Sequence, residues 1–380
     1  MDVLLDDDEA LLREAIRHFF EAECTPARVR DAEDGGTDCD AALWSQLAEL
    51  GWLGLALPAL HGGAEAPLPQ LGLLFEEAGR ALAPVPLHPH TVASVVLARH
   101  GNDEQRARYL DEAIAGTKRL SWAWSEGRPI VDAAAIQLQA VADGNGWRLN
   151  GVKHFVDGFD GADVCLVPVR TTPGDGPSGL SLVLVETDAA GVSAQRHPTL
   201  AGDCQASITF DNVYIGGDDV LGVPDAGGAA CQAMFDLAVI LNCAMIVGAS
   251  RRAVERAVEH AKEREAFGKP IGQFQAIQHM CANMITWVDG AELLTREALW
   301  ILSEAQDARM NIASAKAFTN ERCQAALREA NQIHGGLAQV REYDQQLWYR
   351  RAAAWSMRLG TSLEHRRTIS RLLALGASAA

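Results

Sequence analysis

The chain has 380 residues, 48% of them hydrophobic and 22% charged, with 9 Trp and only 14 Pro. That composition excludes a disordered or low-complexity chain, and the length suits two or three domains rather than one small module. The net charge of −17 excludes nucleic acid as a partner, because phosphate backbones are bound by clustered Lys and Arg.

The N-terminal MDVLLDDDEALLREA carries acids where a signal peptide needs a basic segment. No apolar run is read as approaching the ~20 residues of a membrane span, so no membrane span and a cytoplasmic location are expected. From residue 8 to about 116 apolar residues recur at helical spacing, as in Leu12, Ile16, Phe19 and Phe20, then Leu74, Phe75, Ala78 and Leu82. Pro58, Gly62, Gly63, Pro84 and Pro86 punctuate the run.

Near Leu120 the period changes to two. Ile136 and Leu138 alternate with Gln137 and Gln139, Asp143-Gly144-Asn145-Gly146 supplies a turn, and Trp147 and Leu149 alternate with Arg148 and Asn150. Further strands are predicted at 164–169, 180–185 and 208–215. After Gly227-Gly228 long helices are predicted from about 234 to 264, 274 to 305 and 310 to 334, with Gly335-Gly336 as a C-cap. The expected domains are therefore helical over 1–118, β over 119–228 and helical over 229–380. The Ala-rich, apolar faces of the last domain suit a bundle that packs against other subunits.

The cysteines Cys24, Cys39, Cys165, Cys204, Cys231, Cys243, Cys281 and Cys323 show no CxxC and no Cys/His spacing, so they read as reduced core residues and no metal site is expected. No GxGxxG links a strand to a helix and no GxxxxGK[ST] occurs. The residues by themselves reach no further than a soluble α/β/α oligomer.

Four segments in order, LAELGWLGLALPALHGG (47–63), GTKRLSWAWSE (116–126), REAFGKPIGQFQAIQ (264–278) and NQIHGGLAQVREY (331–343) with a later GTS (360–362), resemble the acyl-CoA dehydrogenase family across nearly the whole chain. The resemblance implies that fold: an N-terminal α-helical domain, a middle β barrel or sandwich and a C-terminal four-helix bundle, with FAD at a subunit interface. Arg264 and Phe267 match the family's Arg-x-x-Phe-Gly, which implies contacts to the diphosphate and adenine of a neighbouring subunit's FAD. Gln275 fits the glutamine on the following helix. Gln332, Gly335 and Gly336 match Gln-x-x-Gly-Gly, where missing side chains let backbone approach the cofactor's ADP part. Thr361 matches a threonine that binds FAD in relatives.

The flavin-facing segments depart from the family. Where relatives have Thr-Glu-Pro-x-x-Gly-Ser-Asp, residues 125–132 read SEGRPIVD, so Ser125 keeps a hydroxyl and Val131 loses one. Where relatives have Trp-Ile-Thr against the flavin, the chain has Phe155, Val156 and Asp157. The two positions at which relatives keep the catalytic glutamate are Leu359 and Ala238, and a substrate arginine is replaced by Val239. Asp236, Asp157 and Glu364 are candidate replacement bases, but an acid at a helix start or on a surface is more often a cap or a solvated charge.

The resemblance includes heteromeric enzymes in which one chain carries the glutamate and a related chain lacks it. The favoured expectation is that this chain is the second kind, active only with a homologous glutamate-bearing subunit. Acyl-CoA thioesters, for instance with steroid or other lipid side chains, are the implied substrates and an electron-transfer flavoprotein is the implied acceptor. The alternatives are a homo-oligomeric flavoenzyme with a relocated base or different flavin chemistry, and a non-catalytic scaffold of the same fold.

Overall fold

The computed structural model describes residues 4–37, 39–174 and 176–379, with side chains through Leu375. The chain forms two compact units. One takes the described residues up to Asp31, Pro67–Ala83 and everything from Val239 onward; the other takes Ala32–Ala66 and Pro84–Ala238.

The first stretch is helical, as its spacing predicts: α1 (Asp7–Glu23), α2 (Pro26–Gly35), α3 (Ala41–Glu49), α4 (Leu68–Ala81), α5 (Leu87–His100) and α6 (Asp103–Ile114). Reciprocal capping boxes start α1 (Asp6 with Glu9) and α6 (Asn102 with Gln105), each satisfying two otherwise orphaned backbone donors. Within the second unit, Gln105 also donates to the carbonyls of Asp218 and Val220 at 2.8 and 2.9 Å.

The strands are β1 (Leu120–Trp122), β2 (Gln139–Asp143), β3 (Gly146–Asp157), β4 (Val164–Arg170), β5 (Leu180–Glu186), β6 (Val192–His197), β7 (Gln205–Ile215) and β8 (Val220–Leu221). They form one sheet in the order β6-β7-β3-β2-β4-β5-β8, with β1 parallel to β4. The predicted turn closes the β2–β3 hairpin with Asp143 opposite Gly146. Ile136 and Leu138 precede β2 instead of lying in it, because Ala133–Ala135 forms a 3-10 turn capped by Asp132. β6 was not predicted: its residues are mostly exposed and polar, so it carries no apolar alternation. Leu149, Val167, Val169, Val183, Ile208 and Phe210 are among the buried side chains of this core.

α7 (Gly228–Glu263) starts in one unit and ends in the other. A two-stranded hairpin, β9 (Glu265–Ala266) and β10 (Lys269–Pro270), follows; then come α8 (Gln275–Ser303), α9 (Arg309–His334), α10 (Gln345–Met357) and α11 (Ser362–Ala379). The sequence expectation that no run approaches a membrane span in length is corrected here. α7 holds an 18-residue stretch of mean hydropathy 1.8, long and apolar enough to cross a bilayer, and 78% of that stretch is buried inside the protein. A core helix covered on all sides needs no polar face, so its composition mimics a span. Inside the first unit α4 and α7 cross at backbone contact: a Cβ on Gly79 would lie 2.3 Å from the Met245 carbonyl oxygen, and one on Gly248 would lie 1.8 Å from that of Glu76.

Candidate functional site

In the helical unit, the chain leaves α7 at Arg264, whose N–H donates to the His260 carbonyl (2.8 Å) and whose carbonyl accepts from Ile271 (2.8 Å). These two main-chain bonds fold back the β9–β10 hairpin, in which Ala266 pairs with Lys269. Phe267 and Gly268 form its loop with φ of 53° and 76°, the two left-handed residues of a type I′ turn. A phenylalanine there is strained by the Cβ clash that left-handed backbone imposes, yet its ring is 95% exposed. Its one ring contact among the described residues is edge-on to Phe274 at 6.2 Å, so most of the strained side chain is turned to solvent, where strain of this kind points to a functional role.

Gln275 is the first residue of α8 and is exposed. α9 ends as predicted at His334, with Gly335 at φ 65° and ψ −144°, backbone essentially reserved for glycine. Gln332, Gly335 and Gly336 are all exposed, and a Cβ built on either glycine meets nothing within 4 Å. Arg264 is exposed too, and its guanidinium has no partner among the described residues. A free guanidinium, a presented aromatic and an open glycine turn fit the diphosphate and adenosine of a dinucleotide.

The sequence reading missed what lies beneath this edge. The imidazoles of His260 and His334 lie against each other, tilted by 37° with centroids 4.5 Å apart, and the Tyr343 hydroxyl lies 2.9 Å from His334 Nδ1. Burial, then the facing His260 and Arg256, push the His334 pKa down to about 4. His334 and Tyr343 stand in the 331–343 segment, but nothing in it signals the pairing with His260, which joins the ends of two helices far apart in sequence.

The turn that resembles the family's base-bearing loop is Arg358–Thr361. Leu359 takes a left-handed φ of 59° and Gly360 follows at 97°. His365 Nε2 meets the Leu359 carbonyl at 2.7 Å, and Asn320 donates to that of Gly360 at 3.1 Å. Below the turn, the fully buried Lys316 ammonium contacts Asn242 Oδ1 (2.5 Å) and the Trp355 carbonyl (3.2 Å). Burial pushes its pKa down to about 8. Glu364 accepts from the Thr361 N–H (2.6 Å) and hydroxyl (3.0 Å), so this acid is a helix cap at the start of α11, as the bland reading had it. The Thr361 hydroxyl is thereby already engaged.

In the sheet unit, Ser125 and Phe155 come together through an isolated bridge between Ser125 and His154. Phe155 is 60% exposed with φ 55°. Beside it, His154 Nδ1 and His197 Nε2 converge on Ser207 Oγ at 2.8 and 2.7 Å. Glu126 pairs with the buried Lys153 at 2.6 Å and accepts from the Gln137 and Leu138 N–H groups, which commits it to structure. Ala238 is fully buried, and its carbonyl contacts His88 Nε2 at 2.9 Å. Asp236, a candidate base for which a cap or a solvated charge was the alternative, does not stand at a helix start. α7 begins at Gly228, which places Asp236 in the helix interior, partly exposed, accepting from Gln232 at 2.8 Å.

Sequence profiles of the acyl-CoA dehydrogenase N-terminal, middle and C-terminal domains match residues 6–117, 121–213 and 225–374. A 3-(aryl)acrylate reductase of Clostridium sporogenes is 30% identical over 362 residues, covering 94% of this chain and 96% of the relative. The Tcur3481-Tcur3483 steroid acyl-CoA dehydrogenase variant superposes with a TM-score of 0.89 at 33% identity, covering 98% and 99% of the two chains. The ChsE4-ChsE5 complex from Mycobacterium tuberculosis gives 0.90 at 25% identity, covering 98% and 99%.

Proposed function

Because this chain belongs to the acyl-CoA dehydrogenase family, we propose that it is the glutamate-lacking subunit of a heteromeric member, sharing FAD with a homologous subunit that carries the base. FAD is the family's cofactor. When bound, it supplies the acceptor for a hydride leaving the β-carbon of the thioester.

The observation that carries the reading is Leu359. The turn is held in place by His365 and Asn320, yet it presents an alkyl group where an α-proton must be taken. Ala238 and Val239 are equally inert and are buried. A general base contributes about 10² to 10⁴ in rate, and neither leucine nor alanine can replace one. Arg264, Phe267 and the Gln332–Gly336 turn, by contrast, stay available to hold the ADP end, with Gln275 beside them in the same segment. In this division of labour the partner's cleft takes the isoalloxazine ring and supplies the glutamate. Ser125 and Phe155 then line a second cleft that holds no flavin.

An acyl-CoA is the substrate class and an electron-transfer flavoprotein the acceptor. The likeness to a steroid acyl-CoA dehydrogenase supports a bulky, steroid-like acyl group, and the likeness to a two-component complex supports a heterotetramer. Domain boundaries near 118 and 228, with most subunit contacts in the C-terminal helices, belong to the same reading.

The test is a flavin absorbance spectrum of the chain purified alone and co-expressed with a homologous subunit. Flavin and acyl-CoA-dependent bleaching are expected only in the pair, and Leu359→Glu is expected not to confer bleaching on the lone chain, since Val131, Val239 and Asp157 also depart from a working site. The second reading, a homo-oligomer with a relocated base, is favoured by Asp236 lying inside α7 instead of capping it. Bleaching by the lone chain that Asp236→Asn abolishes would establish it, whereas flavin in neither sample would leave the scaffold.

A further inference from the structure

His260 lies one turn before Arg264 and holds that residue's N–H on its own carbonyl. His334 is the last residue of α9, next to Gly335-Gly336. Their rings lie against each other, centroids 4.5 Å apart and planes tilted by 37°, so one side-chain contact ties the segment carrying Arg264 to the glycine turn.

The pair has a built support. His334 is 5% exposed; Tyr343 meets its Nδ1 at 2.9 Å and lies edge-on to it at 5.3 Å. Arg256 covers the Tyr343 and Trp348 rings at 6.0 and 5.0 Å and is held by Asp344 at 3.6 Å, which Arg30 also grips at 2.7 Å. His334 Nε2 has no hydrogen-bond partner among the described residues. A hydrogen-bond network therefore anchors one side of this ring, and only the second imidazole covers the other.

We propose that the His260–His334 pair is a positioning device for the cofactor, setting the separation between Arg264 and the Gly335-Gly336 turn without touching FAD itself. The inference rests on the reading of that edge as the ADP site. Burial and the flanking guanidiniums disfavour a proton on either ring while the two are paired, whereas separated, solvated imidazoles regain their ordinary proton affinity, so acid from about pH 6.5 downward favours separation. The groups around them from each neighbouring element are Arg256, Glu263 and Arg264 on the α7 side, and Tyr343 and Asp344 on the segment after α9. Burial, His260 and Arg256 lower the pKa of His334; burial and Arg264 lower that of His260, against Glu263. Acid therefore opposes the pairing, because a proton on either ring adds a cation beside Arg256 and Arg264.

The experiment uses the flavin-loaded assembly isolated through a tag on this chain, with FAD release followed by flavin fluorescence after dilution at pH 7.5 and 5.0. The wild type is expected to hold FAD at least about tenfold less tightly at pH 5.0. His334→Phe, which keeps a flat ring that cannot titrate, should hold FAD at pH 7.5 and lose most of that acid sensitivity. His334→Ala should release FAD at both values with unchanged far-UV circular dichroism. Should His334→Ala fail to fold, His260→Phe, at a partly exposed site, gives the same pH readout. A wild-type affinity flat across this range, or acid release that persists in both Phe variants, overturns the proposal. Arg264→Ala in parallel separates the two levels of inference. If it weakens FAD while the histidine variants do not, only the role of the pair is refuted; if it too is silent, the ADP-site reading itself fails.

Discussion

Replacing Arg264 by Ala isolates binding from folding more cleanly than any other change at the proposed cofactor edge. The side chain is exposed and has no partner among the described residues, while both hydrogen bonds that Arg264 makes, to His260 and from Ile271, use its main chain. The substitution should therefore change the stability of the free chain by no more than about 0.5 kcal/mol. A hydrogen bond to a charged group contributes about 1.5–3 kcal/mol, and at about 1.4 kcal/mol per tenfold FAD should bind roughly 10- to 150-fold more weakly. Arg264→Lys should fall between, since an ammonium keeps the charge but not the bidentate fork. Flavin retained on ultrafiltration, read beside the thermal midpoint of the flavin-free chain, measures both quantities at once. Unchanged retention, or a midpoint that drops by several degrees, would refute the reasoning.

Phe267→Gly relieves left-handed strain of about 1 kcal/mol while adding unfolded-state entropy of similar size, so the free chain should be almost equally stable to urea; flavin retention should nevertheless fall. Gly248→Ala, whose Cβ would lie 1.8 Å from the Glu76 carbonyl oxygen, should cost about 3 kcal/mol or more, seen as a lower urea midpoint. His90 is fully buried beside Trp44, and its Nδ1 accepts the Leu120 N–H at 3.2 Å. Burial pushes its pKa down to about 4. The unfolded chain then binds more protons between pH 6.5 and 4, so stability present above pH 6.5 is lost on acidification, by up to about 3 kcal/mol from this group. His90→Gln, which keeps an acceptor for Leu120 but does not titrate, should flatten that part of the urea-stability profile against pH. An unchanged profile would mean that His90 contributes nothing to it.

The helices and most strands were legible in the sequence because burial on one face leaves a period. Ile16 and Phe20 on α1 are a plain case, whereas β4 and β5 were legible as short continuous apolar runs, buried on both faces. β6 was not legible, because a strand whose side chains mostly face water leaves no apolar trace. α7 misled in the opposite sense: burial on nearly every side made a core helix resemble a membrane span. Its true start at Gly228, ahead of the expected start near 234, also places Asp236 in the helix interior instead of at its start.

The sequence by itself determined which side chains stand at each position and which of them can carry a proton or a charge. Leu359 and Ala238 cannot accept a proton in any fold, and Arg264, Phe267 and the Gly335-Gly336 pair stand in motifs readable one segment at a time. Only the tertiary structure decided which polar groups remain free to act. It committed Glu126 to Lys153 and Glu364 to Thr361, left the Arg264 guanidinium without a partner among the described residues, and set His260 against His334 across many residues of chain. Whether a side chain is spent on folding depends on neighbours that long-range packing supplies, and local sequence carries no record of them.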